Sequence, residues 1–181
     1  INTLNSAGYA TFSCKDNVNI SGAEAYKASV DGETITLTKL TGYIPAGTGV
    51  ILYSEDPSAT FTLSVPTSSD AAADVSNNDL KATTQAGGSL APFEANSWAL
   101  GDGQEFLHFT GSAYIPKRAY LVHEKPAGAK AMRMVFAEGE TTGIDATMID
   151  TATREGKFID GSKIVIIKNG TKYNVAGQVI K

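Results

Sequence analysis

Apolar and polar residues alternate in short stretches along most of the chain. In residues 33–37, Ile35 and Leu37 fall on one face of an extended chain, and the threonines fall on the other. This period of two predicts half-buried β-strands. The same alternation places Phe61, Leu63 and Val65 on one face of residues 60–65, and Met132, Met134 and Phe136 on one face of a later strand. Composition predicts further strands at residues 9–14, 49–53, 98–100, 105–109 and 119–123.

Turn residues such as Asp31-Gly32 and Gly87-Gly88 separate these segments at intervals of about eight to twelve residues. Such spacing predicts an all-β protein, either a sandwich or a distorted barrel. Residues 70–83, DAAADVSNNDLKAT, differ because they are rich in alanine and carry no β-branched run. We therefore allow at most one short helix near residues 70–83.

The C-terminal stretch, residues 154–181, carries two tight-turn dipeptides, Asp160-Gly161 and Asn169-Gly170. Both pairs tolerate the positive φ angles of type I′ hairpin turns, so an antiparallel β-meander is predicted, with strands near 155–159, 162–168 and 171–175. Residues 164–167 are apolar on both faces, so we expect the meander to pack on the main domain or on a neighbour. The predicted organisation is a β domain over 1–143, followed by a connector and the meander over 144–181.

Charge and composition narrow the class of protein. The chain has 181 residues, a net charge of −4 and 15 Lys and Arg that are scattered along it. Nucleic-acid binding is disfavoured, because phosphate neutralisation needs clustered cations. The single cysteine, Cys14, forbids an intrachain disulfide and is expected to be a small buried residue of a strand. Apolar runs of four or five residues predict no membrane span in this sequence.

Few residues carry candidate chemistry. His108 and His123 lie in predicted strands, and either could do acid–base work if paired with a carboxylate such as Glu105 or Glu124. No His or Cys spacing suits zinc, and no serine sits in a G-x-S-x-G turn. We therefore predict no catalytic residue, no metal and no cofactor. A hydrolase whose site is assembled from distant residues is the last alternative.

A repeated segment is the most distinctive feature of the sequence. GYIPAGTGVILYS at residues 42–54 and SAYIPKRAYLVHEK at residues 112–125 share Tyr-Ile-Pro followed by an apolar run. The residues directly after each proline differ, so the repeat predicts shared architecture, with two related halves in one domain. Exposed aromatic rings can stack on sugars, although aromatic residues of strands more often pack in the core. The candidate ligand-binding residues are Tyr114, Lys117 and Arg118 of the second copy, which is the more polar one, together with the aromatic residue Trp98.

Several motifs, in order, resemble a β-rich module of secreted and cell-surface proteins from gut Bacteroidetes. The second half has an aromatic-x-Leu-Gly turn, a Phe-containing strand, and Ile-Pro followed by Ala-Tyr-Leu, with Lys117 and Arg118 where small residues are commoner. The tail is similar to C-terminal sorting domains of such proteins. The segments that carry the resemblance are GYATFS (8–13), AYKASVDGETITLTKLTGYIPAGTGVILY (25–53), WALGDGQEFLHFTGSAYIPKRAYLV (98–122), RMVFAEGETTGID (133–145) and the tail.

The resemblance implies an exported or surface-anchored, non-enzymatic protein of a commensal bacterium. We expect a structural or adhesive module of such a protein, or alternatively a glycan-binding module for polysaccharide capture. Implied partners are neighbouring domains of a longer protein and a host or dietary glycan or protein. We expect a secreted or cell-surface location, with the signal peptide outside this sequence. Asp150-Thr151-Ala152 resembles the O-glycosylation acceptor of that phylum, which makes Thr151 a candidate modification site.

Overall fold

A computed structural model describes residues 3–124 and 128–137, together with the backbone of three later strands at 156–160, 163–168 and 171–173. The chain divides into two compact units, Ile1–Thr142 and Gly143–Lys181. The strands of the first unit are β1 (Tyr9–Phe12), β2 (Asn19–Ser21), β3 (Glu24–Asp31), β4 (Thr34–Lys39), β5 (Val50–Tyr53), β6 (Thr62–Ser64), β7 (Lys81–Ala82), β8 (Ser97–Leu100), β9 (Glu105–His108), β10 (Ala119–Val122) and β11 (Ala131–Phe136).

Nine of these strands form one mixed sheet in the order β1-β5-β3-β4-β11-β9-β8-β10-β7. All neighbours pair antiparallel except β11 and β4, which run parallel. The sheet curls until β1 approaches the β10–β7 end, where Ser13 bonds to the Lys117-Arg118 turn before β10 and to the N–H of Thr84 after β7. The two remaining strands, β2 and β6, form a separate ribbon. This nearly closed, barrel-like sheet confirms the predicted all-β class.

No helix occurs in the described part of the chain, so the short helix considered for residues 70–83 does not form. The segment runs through turns and a bridge from Ala72 to Tyr43 before reaching β7. Its acidic and amide side chains bind the local backbone instead. Asp74 Oδ1 accepts from the N–H of Ser76, and Asn78 Oδ1 accepts from that of Leu80. Such side-chain bonds compete with helical hydrogen bonds.

The strand order repeats within the large sheet. The sequence of neighbours β1-β5-β3-β4 recurs as β7-β10-β8-β9, and β11 joins the two sets. In each half a hairpin is followed by Tyr-Ile-Pro and a strand that pairs with the first strand of that hairpin. The chain therefore builds two related halves, as the repeated segments predicted.

Alternating side chains from both halves fill the interior of the curled sheet. Ile35 and Leu37 are completely buried, and Met132 and Met134 are buried with them, which confirms the alternation read from the sequence. Each half also has an outer apolar cluster. The outer cluster of the first half contains Phe12, Val18, Ile44, Val50, Leu52 and Phe61, with Cys14, which follows β1, partly buried against it. The outer cluster of the second half contains Ala91, Tyr114 and Tyr120.

The predicted common face of Phe61, Leu63 and Val65 is wrong. Phe61 is buried, but Leu63 is 39% exposed and Val65 is 84% exposed. The reason is that β6 belongs to the two-stranded ribbon with β2, outside the large sheet, and ends before Val65.

The second unit contains β12 (Gly156–Asp160), β13 (Lys163–Lys168) and β14 (Thr171–Tyr173), paired antiparallel in that order. Lys157 lies opposite Ile166, and Ile166 lies opposite Tyr173. The predicted meander is thereby confirmed. Thr151 and the rest of the connector lie outside the described residues, and the expected packing of the meander stays a prediction.

Candidate functional site

The two Tyr-Ile-Pro segments bury opposite members of the Tyr–Ile pair. In the first copy Ile44 is buried and Tyr43 is partly exposed. In the second copy Tyr114 is only 8% exposed and Ile115 is 70% exposed. The same tripeptide thus presents a tyrosine to the surface of one half and an isoleucine to the surface of the other.

A difference of one residue in the following loop explains this exchange. Ile51 and Leu121 hold equivalent places, because each faces the interior and pairs with a large inward-facing aromatic, Tyr26 or Trp98. Ile51 follows its proline by six positions and Leu121 by only five. Because side chains alternate along an extended chain, a shift of one residue turns the Tyr–Ile pair over.

The loop after each proline also reaches the first strand of the other half. In the first half, Thr48 bridges to Lys81 of β7. In the second half, the Oγ of Ser13, directly after β1, donates to the carbonyl of Arg118 at 2.6 Å and accepts from the N–H of Thr84 at 3.1 Å. We call the place where β1 meets the opposite end of the sheet the seam, and these two bonds of Ser13 the seam clasp. Ser13 is completely buried, so the clasp is shielded from water.

A cavity of about 350 Å3 lies beside the seam clasp. It is bounded by β1, by β8 and β10, and by the second Tyr-Ile-Pro segment. We call this space the seam cavity. The N–H of Ser54 donates to the carbonyl of Gly8, and hydrogen-bonded pairs alternate with non-bonded pairs along the antiparallel ladder of β1 and β5. The peptide groups of Thr11 therefore point away from β5 and toward the seam. The lining of the seam cavity combines apolar walls with hydroxyl groups and one cationic residue: Leu4, Tyr9, Leu100, Phe109 and Ile115, with Thr11, Thr83, Ser97, Tyr114 and Arg118.

A hydrogen-bonded network forms one wall of the seam cavity. The Ser97 hydroxyl donates to the carbonyl of Glu94 at 2.6 Å, so the Tyr114 hydroxyl, also at 2.6 Å, donates to Ser97 Oγ. The Glu94 carboxylate accepts from Lys81 Nζ at 2.9 Å and from the Tyr120 hydroxyl at 2.9 Å. The rings of Tyr114 and Tyr120 stack with centroids 4.0 Å apart. This network fixes the aromatic wall in one position.

The network also shifts the protonation equilibria of its members. The hydrogen bond from Lys81, followed by that from Tyr120, lowers the pKa of the Glu94 carboxyl. Burial, followed by the bond to Glu94, raises the pKa of the Tyr120 hydroxyl. Glu94 is therefore ionised and Tyr120 is neutral near pH 7, which is the arrangement in which the phenol donates to the carboxylate.

Three of the four candidate ligand-binding residues lie around this one cavity. Trp98, Tyr114 and Arg118 line the seam cavity, and Lys117 is their exposed neighbour at a φ of 61°. Trp98 is completely buried and its indole N–H donates to the carbonyl of His123, so its ring packs in the core and offers no open face to a sugar. The Tyr114 ring is likewise held between neighbours. A role of these residues in binding stays a prediction.

The two histidines both contact Trp98, one through its ring and one through its backbone. The His108 ring packs edge-on against Trp98 at 5.3 Å, and the backbone of His123 holds the indole of Trp98. Among residues 3–124 and 128–137, no hydrogen bond or ion pair joins either ring to a carboxylate. The same residues contain no group of three His, Cys, Asp or Glu side chains that could hold a metal ion. In the described part of the chain, no helix is long and apolar enough to cross a membrane.

Sequence reasoning missed Ser13 and Thr84, which form the clasp, and Ser97 and Glu94, which belong to the network. Ser13 and its partner Arg118 are 105 positions apart, and a small polar residue at the end of a strand carries no local signal of such a contact. Comparison with protein-family models, with curated proteins and with solved structures gave no match.

Proposed function

We propose that this chain is a non-catalytic adhesive module of a secreted or cell-surface bacterial protein, and that the seam cavity with its rim contacts the partner. The observation that supports a binding role is the combination, at one place, of an apolar recess, the 70% exposed side chain of Ile115, and the adjacent cations Lys117 and Arg118. The surface location is supported by the resemblance of the sequence motifs described above.

The hydroxyl groups of the cavity favour a binding role over a chemical one. Ser97 is completely buried, and its proton is already given to the carbonyl of Glu94. Tyr114 gives its proton to Ser97. The Oγ of Thr83 accepts from Arg118 N–H at 2.9 Å and donates to Ile115 C=O at 2.8 Å. Hydroxyl groups whose protons are held in such hydrogen bonds shape the recess, and the rigid aromatic walls reduce the conformational entropy that is lost on binding.

The partner suited to this rim carries an apolar group beside an acidic one, because the apolar recess and Ile115 adjoin two cations. The test is retention of protein-coated beads on surfaces coated with mucin, fibrinogen or collagen. We expect beads carrying the unmodified chain to stay bound on at least one surface after washing. Ile115→Asp is expected to reduce retention by about tenfold, since it places a charge at the apolar rim.

Leu107→Asp is the matched control, because Leu107 is also an exposed aliphatic residue, 42% accessible, and does not line the cavity. It should leave retention unchanged. Equal melting temperatures of the two variants would show that both are folded. Retention no better than that of albumin-coated beads on all three surfaces would contradict an adhesive function. Retention that survives Ile115→Asp would contradict the role of the seam cavity.

A further inference from the structure

A second recess lies under the first Tyr-Ile-Pro segment, in the first half of the domain. The hydrogen-bonded network of Tyr114, described above, belongs to the second half. The second recess has a volume of about 610 Å3 and is lined by Asp16, Asn17, Tyr43, Val65, Pro66, Thr67, Ser68 and Asp70. These residues come from the bend after β1, the first Tyr-Ile-Pro segment and the loop after β6. We call this recess the Tyr43 groove. It shares no lining residue with the seam cavity.

The two halves treat their tyrosines differently. Tyr114 is buried and contacts the rings of Phe93, Phe109 and Tyr120. Tyr43 is partly exposed, and no aromatic ring of the described residues packs against it. The loop that is one residue longer turns Tyr43 outward, as shown above. The position that is core in one half is thus a surface aromatic at a groove in the other.

Asp70 supplies a fixed hydrogen-bond acceptor to the Tyr43 groove. Its Oδ2 accepts from the N–H of Thr67 at 2.7 Å and from the side-chain amide of Asn19 at 2.9 Å. The backbone bond from Thr67, followed by that from Asn19, lowers the pKa of the Asp70 carboxyl, so the group is ionised near neutral pH. The two bonds occupy Oδ2 and set the orientation of the carboxylate, which leaves Oδ1 as an acceptor.

Donors lie in the same groove. Asn17 uses its Oδ1 to accept from the N–H of Ala46 at 2.8 Å, so its NH2 group keeps two donor hydrogens. The Ser68 hydroxyl can donate or accept. Tyr43 offers a ring face whose negative quadrupole attracts polarised C–H groups. The groove therefore combines a surface for C–H groups with both acceptors and donors for hydroxyl groups.

A sugar ring matches this combination, because its C–H face is apolar and its edge carries hydroxyl groups that both donate and accept. The charge of the groove selects among sugars. Its two charged lining residues, Asp16 and Asp70, are acidic, and Lys15 pairs with Asp16 at 2.7 Å. Anionic ligands such as uronates or phosphates would be repelled. We propose that the Tyr43 groove binds a neutral hexose unit of an oligosaccharide. This site does not depend on the function of the seam cavity.

The test is a titration followed by amide NMR shifts, with cellohexaose, maltohexaose, mannohexaose and a galactohexaose as neutral probes and hexagalacturonate as the anionic one. We expect saturable shifts with at least one neutral probe at concentrations up to about 5 mM, which corresponds to the millimolar affinity of a single small site. Hexagalacturonate should bind more weakly. Tyr43→Ala and Asp70→Asn should each weaken neutral-sugar binding by about tenfold or more.

Two variants serve as controls. Tyr43→Phe keeps the ring and should keep most of the affinity. Tyr114→Phe makes the same change in the buried copy and should not alter the sugar titration. Amide spectra of each variant show whether it is folded. The proposal is overturned if no neutral probe gives saturable shifts, if hexagalacturonate binds best, or if binding survives Tyr43→Ala. None of these results bears on bead retention through Ile115, so the two proposals fail separately.

Discussion

Replacing Ser13 by alanine tests whether the seam clasp stabilises the closed sheet. The change removes only the Oγ atom of a completely buried residue. Its partner Arg118 C=O keeps a second donor, the N–H of Thr83 at 2.9 Å, so that carbonyl stays satisfied. The N–H of Thr84, which is 8% exposed as a residue, loses its acceptor.

The expected cost follows from that one orphaned donor. Leaving a buried N–H unsatisfied costs about 1–3 kcal/mol. With a urea dependence of about 2 kcal/mol per molar for a chain of this size, the midpoint should fall by about 0.5–1.5 M. The chain has one tryptophan, Trp98, and it is completely buried in the same domain, so its fluorescence reports unfolding of that domain alone. Amide exchange of Thr84 should also accelerate.

Ser6→Ala is the matched control. Ser6 is exposed and its hydroxyl donates to Asp102 C=O at 3.0 Å, so its loss should cost no more than about 0.5 kcal/mol. If Ser13→Ala lowers the midpoint no further than Ser6→Ala does, the clasp contributes nothing measurable and the closure of the sheet must be held by apolar packing instead.

Two further predictions concern packing and alkaline pH. Gly49→Ala should lower the free energy of unfolding in urea by about 1–3 kcal/mol, because a Cβ there would lie 2.8 Å from Lys81 C and 2.9 Å from Ala119 Cβ. Gly103→Ala is the control and should have little effect, since a Cβ there would meet only Glu105 Oε1 at 3.9 Å. Equal urea midpoints of the two variants would contradict the close approach at Gly49. Burial, followed by the proximity of Tyr53, raises the pKa of the Tyr9 hydroxyl from 10.0 to about 12. The stabilisation that comes from keeping this hydroxyl neutral in the folded state is therefore complete below pH 10 and is lost as the pH rises toward 12. Tyr9→Phe should therefore flatten the fall in unfolding free energy between pH 10 and pH 12, measured by circular dichroism in urea; an unchanged slope would show that Tyr9 ionises equally well in both states.

Strands with a regular alternation were predictable because one of their faces is buried in a single large core. Ile35 and Leu37 in β4 and the methionines of β11 show this directly. The longest strand in the described part of the chain, β3, was not identified as a strand from its pattern. Its sequence EAYKASVD is rich in small and helix-favouring residues, and only Tyr26 and Ala28 are fully buried. Pairing with β4 on one side and β5 on the other decides its conformation.

The candidate site was predictable only in part, for a reason that concerns register. The sequence shows Tyr-Ile-Pro twice but does not show which side chain of each pair points inward, because that depends on where the next strand begins to face the interior. The strand position of Trp98 correctly favoured core packing. A Trp98→Ala variant would therefore report on the core, at a cost of about 3–5 kcal/mol, before it reported on any ligand.

The joining of the two halves has a consequence for how the molecule could be divided. The two halves are joined by β11, which pairs in parallel with β4 of the first half and antiparallel with β9 of the second. The clasp at Ser13 and the bridge from Thr48 to Lys81 add a reciprocal pair of links. Fragments cut in the exposed loop at residues 66–69 should each lack a sheet neighbour, and should fold together when mixed. The domain is thus suited to fragment complementation, with recovery of buried Trp98 fluorescence marking reassembly.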